Sequence, residues 1–548
     1  MSKIKIFSLG GLNEEGKDMY VVKVDSDIFI FDAGLKYASD KLLGVDYIIP
    51  NFDFIKENIK NIKGLFITHA HEKNMGAVCD IVSEVPNLKV YATKFTANLL
   101  RKELDDSNIK FKNLIELEPH KKIGFGKNSV FPVRLTHSIP DNVGYALNTK
   151  DGTIFYTGNY VFDATMLGNY KADIGKLAYI GKQGVLCLLG ESMYADKIGY
   201  TSPKNRIDKL IRDTLNRTEN RIIVNVFTAH VSRIEELFNE ISKTQRRVVV
   251  MGHKLQSMIK NILDNNYIKF DRTRIGDLSN INDKDAVILI SNEREKPFMN
   301  LNRIINGYDK FVSIKPTDTV FFMEPVNDYN EKLAIKVIDD ISKMGASVVS
   351  MSRKEHLQHH ASSEDIMLML ELMNPKYYMP VTGEYRHMIA NAKCAEHVGM
   401  KKENIILKQN GDVVNIINGE LKDISEKVKV DDILIDGTSS QDIGELVLKD
   451  RELLSDNGIV IICSTLDKRT KEILAPPEIL TRGFIYVKEN TEIIEEMKRI
   501  SLEVINENTV SNYVEYNKIK MTIRDRLSKY LYEETECKPM IITVIQEV

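Results

Sequence analysis

Apolar and polar positions along the first third of the chain fall into short blocks. Residues 4–9 and 19–31 read as strands, separated by the turn-rich segment 10–18, and the second run ends in Phe31-Asp32-Ala33-Gly34. Further short strands are predicted at residues 90–92, 144–148 and 153–157, with helical stretches between them, up to about Asp163. Strands with interleaved helices predict sheets covered by helices, an α/β layered domain. From about Ser202 the pattern becomes a βα alternation. Residues 222–227, 247–251, 286–290 and 319–322 are short apolar strands, and 233–242 and 255–264 are helical stretches. This is the pattern of a parallel sheet, in a second domain of roughly 150 residues. Residues 365–373 predict a helix and 377–381 a strand. A polar, charged stretch at 419–430 is a candidate linker. Beyond it, 433–435, 459–462 and 484–487 read as strands and 491–506 as an amphipathic helix. Ile519, Ile523, Leu527 and Leu531, four apart, mark a second helix, and 540–544 a closing strand.

The chain has 548 residues, too many for one core. Hydrophobic residues at 43% and charged ones at 28% describe an ordinary globular chain. The net charge of −3 gives no global basic field, so any nucleic-acid contact needs a local basic channel. Five cysteines (Cys79, Cys187, Cys394, Cys463 and Cys537) form no C-x-x-C pair, which points to a reducing compartment and against a cysteine metal site. The N-terminus enters a strand-like run without the apolar region of a signal peptide, and no run reaches the roughly 18 apolar residues of a membrane span. The expected location is the cytoplasm, with no membrane partner.

Chemistry concentrates at residues 68–76, T-H-A-H-E-K-N-M-G, directly after the apolar run Gly64-Leu65-Phe66-Ile67. Two histidines one residue apart at a strand end can aim both rings into one site, and neutral imidazole is a good zinc ligand. H-x-H alone is a weak signal. Downstream lie Leu135-Thr136-His137-Ser138-Ile139-Pro140-Asp141, Tyr156-Thr157-Gly158-Asn159-Tyr160-Val161-Phe162-Asp163, Leu189-Gly190-Glu191-Ser192, His356-Leu357-Gln358-His359-His360-Ala361-Ser362 and Val381-Thr382-Gly383-Glu384-Tyr385. In this order, over essentially the whole chain, the set resembles the ribonuclease J family. The segments Ile433-Leu434-Ile435-Asp436-Gly437 and Thr481-Arg482-Gly483-Phe484-Ile485-Tyr486-Val487 extend the likeness to the C-terminus.

The resemblance implies a metallo-β-lactamase αββα sandwich in two parts, residues 1–201 and 352–418, with an inserted β-CASP α/β domain at 202–351. A linker at 419–445 and a small C-terminal α+β assembly domain at 446–548 would follow. It also implies metal ligands, and here the chain departs from the family's H-x-H-x-D-H. His69, His71 and His137 match. Lys73 stands at the aspartate, Asn74 at the last histidine, Asn159 at the metal-bridging aspartate and Thr382 at the final histidine. Neutral oxygens are poor zinc ligands, and an ammonium near a cation costs several kcal/mol at an effective dielectric of about 20. The two-metal chemistry of the family is therefore not expected, and at most one zinc per chain is. On their own, His69, His71 and His137 fit either one metal with an open position or packing and hydrogen-bonding roles. Asp32 fits either a residue that orients the ligands or a turn-former before Ala-Gly.

For RNA, the resemblance points to His356, His360 and Ser362 as phosphate contacts, with Glu191 at an acidic β-CASP position and Arg233 kept. Solvated or loop-ordering roles are the alternatives. Residues 291–297 lack the glycines of the family, which weakens close backbone approach to RNA there. Three functions remain open. One is a degenerate subunit, weak or inactive alone, that joins an active ribonuclease J paralogue in a hetero-oligomer, or itself in a homodimer or tetramer, for mRNA decay and rRNA maturation. The second is an active zinc-dependent 5′-to-3′ exoribonuclease and endoribonuclease with an altered metal site. The third is a non-catalytic RNA scaffold. A small-molecule hydrolase is disfavoured by the insertion at 202–351.

Overall fold

The apolar run ahead of the histidines forms the strand Ile62–Phe66, inside an eight-stranded sheet. The computed structural model describes the chain apart from residues 1, 39–41, 202–205, 292–297, 324–325, 327–329, 352–359, 438–444, 485–489 and 510–513. In that sheet Lys3–Gly10, Met19–Val24 and Asp27–Phe31 run antiparallel, and Ile62–Phe66, Val90–Thr93 and Leu114–Leu117 continue it in parallel. The single strand expected over 19–31 is a hairpin, because Asp25, at φ 53°, turns the chain. Asp accepts that left-handed conformation and the tight turn it makes. A second sheet of six strands runs from Tyr377–Val381 through Val185–Glu191, Gly152–Tyr156, Val143–Thr149 and Asn128–Arg134 to Ile123–Phe125.

Ile6, Tyr20, Phe31 and Phe66 from the first sheet meet Tyr145, Tyr156, Leu189 and Met379 from the second in one core. On the other face of the second sheet, Phe155, Leu188 and Tyr378 pack against Leu177, Met369 and Ala395 of the helices Ile174–Gln183, Ser363–Met373 and Tyr385–His397. The helix Lys94–Asp106 packs on the first sheet. This is the expected αββα layering. The βα region also matches expectation. Its six strands pair in parallel, with Ala286–Ser291 and Ile222–Val226 at the centre and buried along their whole length, as parallel strands covered on both faces are.

Two compact units divide the chain near Ile433, and residues 38–46 belong with the second. The polar stretch 419–430, expected to be a linker, holds one strand. Glu420–Lys422 ends the eight-stranded sheet, and Asp432–Ile435 follows. The second unit carries the sheet order Ile473–Arg482, Ile459–Leu466, Met540–Glu547. The helices Thr491–Asn508 and Tyr516–Thr535 lie against it, closing on Val460, Ile462, Val504, Ile519 and Leu527. Ile473–Arg482 escapes the sequence pattern because of Pro476 and Pro477, which an edge strand tolerates. The strand expected at 484–487 lies largely outside the described residues. Among the described residues no helix is long and apolar enough to cross a membrane.

Candidate metal centre

Each histidine of the triad is delivered by the end of a strand. His69 follows Ile62–Phe66, His71 immediately precedes the short helix Glu72–Met75, and His137 follows Asn128–Arg134. One ligand atom from each lies within 4.8 Å of the others. His69 Nε2 is 3.0 Å, and His137 Nε2 3.2 Å, from His71 Nδ1.

The surrounding hydrogen bonds fix two of the tautomers. Asp32 is fully buried, and burial raises its carboxyl to about 6 against the donors that hold it, so it is largely ionised at neutral pH. It accepts the Thr68 N–H at 2.7 Å and the Thr68 hydroxyl at 2.9 Å. Thr68 Oγ1, having spent its proton, must accept from His69 Nδ1 at 2.8 Å. His71 Nε2 faces the Ala229 carbonyl at 2.9 Å and so carries its proton there. Lone pairs of His69 Nε2 and His71 Nδ1 therefore face each other. Burial lowers both rings' affinity for protons, that of His71 to about 3. These two bare nitrogens, each on a ring oriented by a partner on its far nitrogen, converge with His137 Nε2 in an arrangement that fits a metal ion with an open position. Both readings of Asp32 hold together, since it adopts φ 60° and also orients His69 through Thr68.

The positions beside the triad are arranged differently. Lys73 Nζ sits 2.5 Å from Glu15 Oε1. Asn74 is buried and donates to Asp32 at 2.9 Å and Asp18 at 3.3 Å. Asp18 is pushed well up by burial and by the charge of Asp32. Thr382 holds φ 55°, a strained value for a β-branched residue. Its N–H donates to the Tyr20 hydroxyl at 3.0 Å, which in turn lies 3.2 Å from Asp18. Asn159 donates to Glu191 at 2.8 Å.

Glu191 is buried at the end of Val185–Glu191, so it is not a solvated loop carboxylate. It also accepts from Tyr160 N at 2.6 Å and Ala361 N at 3.2 Å, and it pairs with His360 Nδ1 at 2.7 Å. That fixes the His360 ring 5.7 Å from the ring of His137. Ser362 is buried, forms a capping box with Asp365 and lies 2.7 Å from Thr201 Oγ1. Arg233 is buried too, its guanidinium brought down to about 9 by desolvation. Of the expected RNA contacts, His360 is at the surface of the site, whereas Glu191, Ser362 and Arg233 sit behind it among protein groups. His356 lies outside the described residues.

A cleft of about 250 Å³ opens over this floor, with Lys73, Asn159 and His360 on one side and Thr228, His230 and Lys254 of the parallel-sheet region on the other. Sequence reasoning missed Glu15, Asp18, Tyr20, Tyr156 (which donates to Asp32 at 2.9 Å) and the Ala229 carbonyl. Glu15 and Asp18 lie in the turn-rich segment 10–18, whose density of acidic residues was the available signal.

Family models match at residues 446–548 (Ribonuclease J C-terminal domain), 219–341 (Ribonuclease J, beta-CASP domain) and 348–407 (Zn-dependent metallo-hydrolase RNA specificity domain). The chain is 37% identical to ribonuclease J2 of Bacillus subtilis (strain 168), over all of this chain and 99% of the relative. It is 34% identical to ribonuclease J 2 of Staphylococcus aureus (strain NCTC 8325 / PS 47), over all of this chain and 98% of the relative. A crystal structure of a protein of unknown function from Enterococcus faecalis V583 superposes with a TM-score of 0.54 at 15% identity. It covers 76% of this chain and all of that one, a likeness of fold.

Proposed function

We propose a function from the premise that this chain belongs to the ribonuclease J family. It is an RNA-binding subunit of the degenerate, second-paralogue kind. It is weak or inactive in cleavage alone, and it joins an active ribonuclease J in mRNA decay and rRNA maturation in the cytoplasm. The observation that carries this reading is the state of the second cation position. Lys73, Asn74, Asn159 and Thr382 are each engaged by protein partners, and none offers a carboxylate or imidazole. In this reading the sandwich spans 1–201 and 352–418, the insertion 202–351, a connecting segment 419–445 and an assembly domain 446–548.

His69, His71 and His137 would hold one zinc, which when bound supplies a Lewis acid able to polarise a phosphoryl oxygen. Around it, His360 offers a donor to a phosphate, and Glu191 fixes that ring. Ser362 and Arg233 act on RNA by shaping the loop and cleft wall behind it. The convergent nitrogens also favour a second reading, a single-metal ribonuclease active by itself.

Metal content and cleavage of a 5′-monophosphorylated RNA, measured on one pure sample, separate the two. At most about one zinc per chain with no cleavage is expected. Metal-dependent cleavage with one zinc would favour the second reading, and about two metals with cleavage would sink the first. Co-purification with an intact ribonuclease J is the expected sign of the partnership.

A further inference from the structure

The cleft floor carries an internal ion pair that a two-metal enzyme would have no use for. Lys73 Nζ and Glu15 Oε1 are 2.5 Å apart, with 31% and 35% of their side chains exposed. Lys73 leaves a fixed backbone. Its carbonyl accepts the Asp18 N–H at 3.2 Å, and a Cβ on Gly34 would lie 1.5 Å from that oxygen, so the close approach requires glycine. From that point the side chain lines the same cleft as His71, His137 and His360. The Lys73 charge acts on His71 and that of His360 acts on Glu15, so the pair lies within electrostatic reach of two rings that line the cleft.

The geometry points to Lys73 as a metal-independent contact for an RNA phosphodiester, and to Glu15 as the internal anion that occupies its ammonium until RNA enters. Lysine binds phosphate as a point charge. An ion pair whose two side chains are each about a third exposed is weakened by solvent, so a phosphate already beside His360 can displace a carboxylate. This rests on reading the cleft as an RNA site, and its test avoids turnover.

The test uses the full chain in EDTA with a fluorescent 5′-monophosphorylated single-stranded RNA, followed by anisotropy across a KCl series. Lys73→Gln is expected to weaken binding about fivefold, and to lower the slope of log affinity against log salt by about 0.7, one single-strand phosphate contact. Lys73→Arg keeps both. Glu15→Gln is expected to tighten binding severalfold without lowering the slope, and to lose that gain in the Lys73→Gln background. A merely structural pair gives both single variants the same sign, because each breaks the same contact, and that result overturns the proposal. So does an absence of effect from either variant, or no RNA binding in EDTA. Thermal midpoints check folding. Two-metal cleavage would defeat the subunit reading whatever these signs show, and unchanged anisotropy would defeat this proposal while leaving that reading in place.

Discussion

Two halves of one cleft floor have diverged in how they handle positive charge. At His69 and His71, proton positions leave two bare nitrogens facing each other, with His137 Nε2 3.2 Å from the second, a surface that suits a cation. Beside it, Asn74 and Asn159 donate protons to buried carboxylates, and Lys73 supplies a fixed charge to Glu15. The same backbone frame serves both halves. What differs is whether the acceptors at the floor are met by protein donors, as the buried acids are, or left bare, as the nitrogens of His69 and His71 are.

The sharpest way to break the comparison is His71→Ala, which removes the middle nitrogen of the triad. Zinc content is expected to fall from about one per chain to background. A variant that still carries zinc would place the metal elsewhere. Next in size is Asn159→Asp, which sets a second carboxylate against Glu191 and removes a donor. Denaturant unfolding of the chelated chain should show a loss of about 3 kcal/mol. Unchanged stability would mean that the second half is not closed by its amides.

Asp32 joins the halves, since it holds Thr68 on one side and Asn74 on the other, with Asp18 and Tyr156 beside it. Its folded value of about 6 lies above the ordinary 3.8. The folded state therefore binds the proton more tightly, and stability from this group is full below about pH 4 and is lost as pH rises through about 6. The stability of the wild type minus that of Asp32→Asn, which cannot titrate, should fall by roughly 2–3 kcal/mol between pH 4 and pH 7. A flat difference would show that protein donors already meet this charge completely.

The layered sandwich, the parallel sheet and the C-terminal helices were legible because long apolar runs and fourfold spacing report burial directly. Hidden elements had local reasons. Pro476 and Pro477 conceal a strand that an edge position allows, and the alternating run through Asp25 conceals a hairpin turn. At the site, motif order gave the triad and the four altered positions. It did not give Glu15 opposite Lys73, residues that are 58 positions apart.

Residue identity by itself determined which ligand chemistry is present, because an asparagine, threonine or lysine cannot become a strong zinc ligand wherever it is placed. It also determined the layered fold class, through its apolar periodicity. Tertiary structure decided which nitrogen of His69 and of His71 is bare, that Glu191 faces inward, and that the Lys73 charge is answered from within. Those outcomes depend on distances between strand ends and loops remote in sequence. Hydrogen bonding and Coulomb energy fall off within a few ångströms and carry no signature in the order of residues.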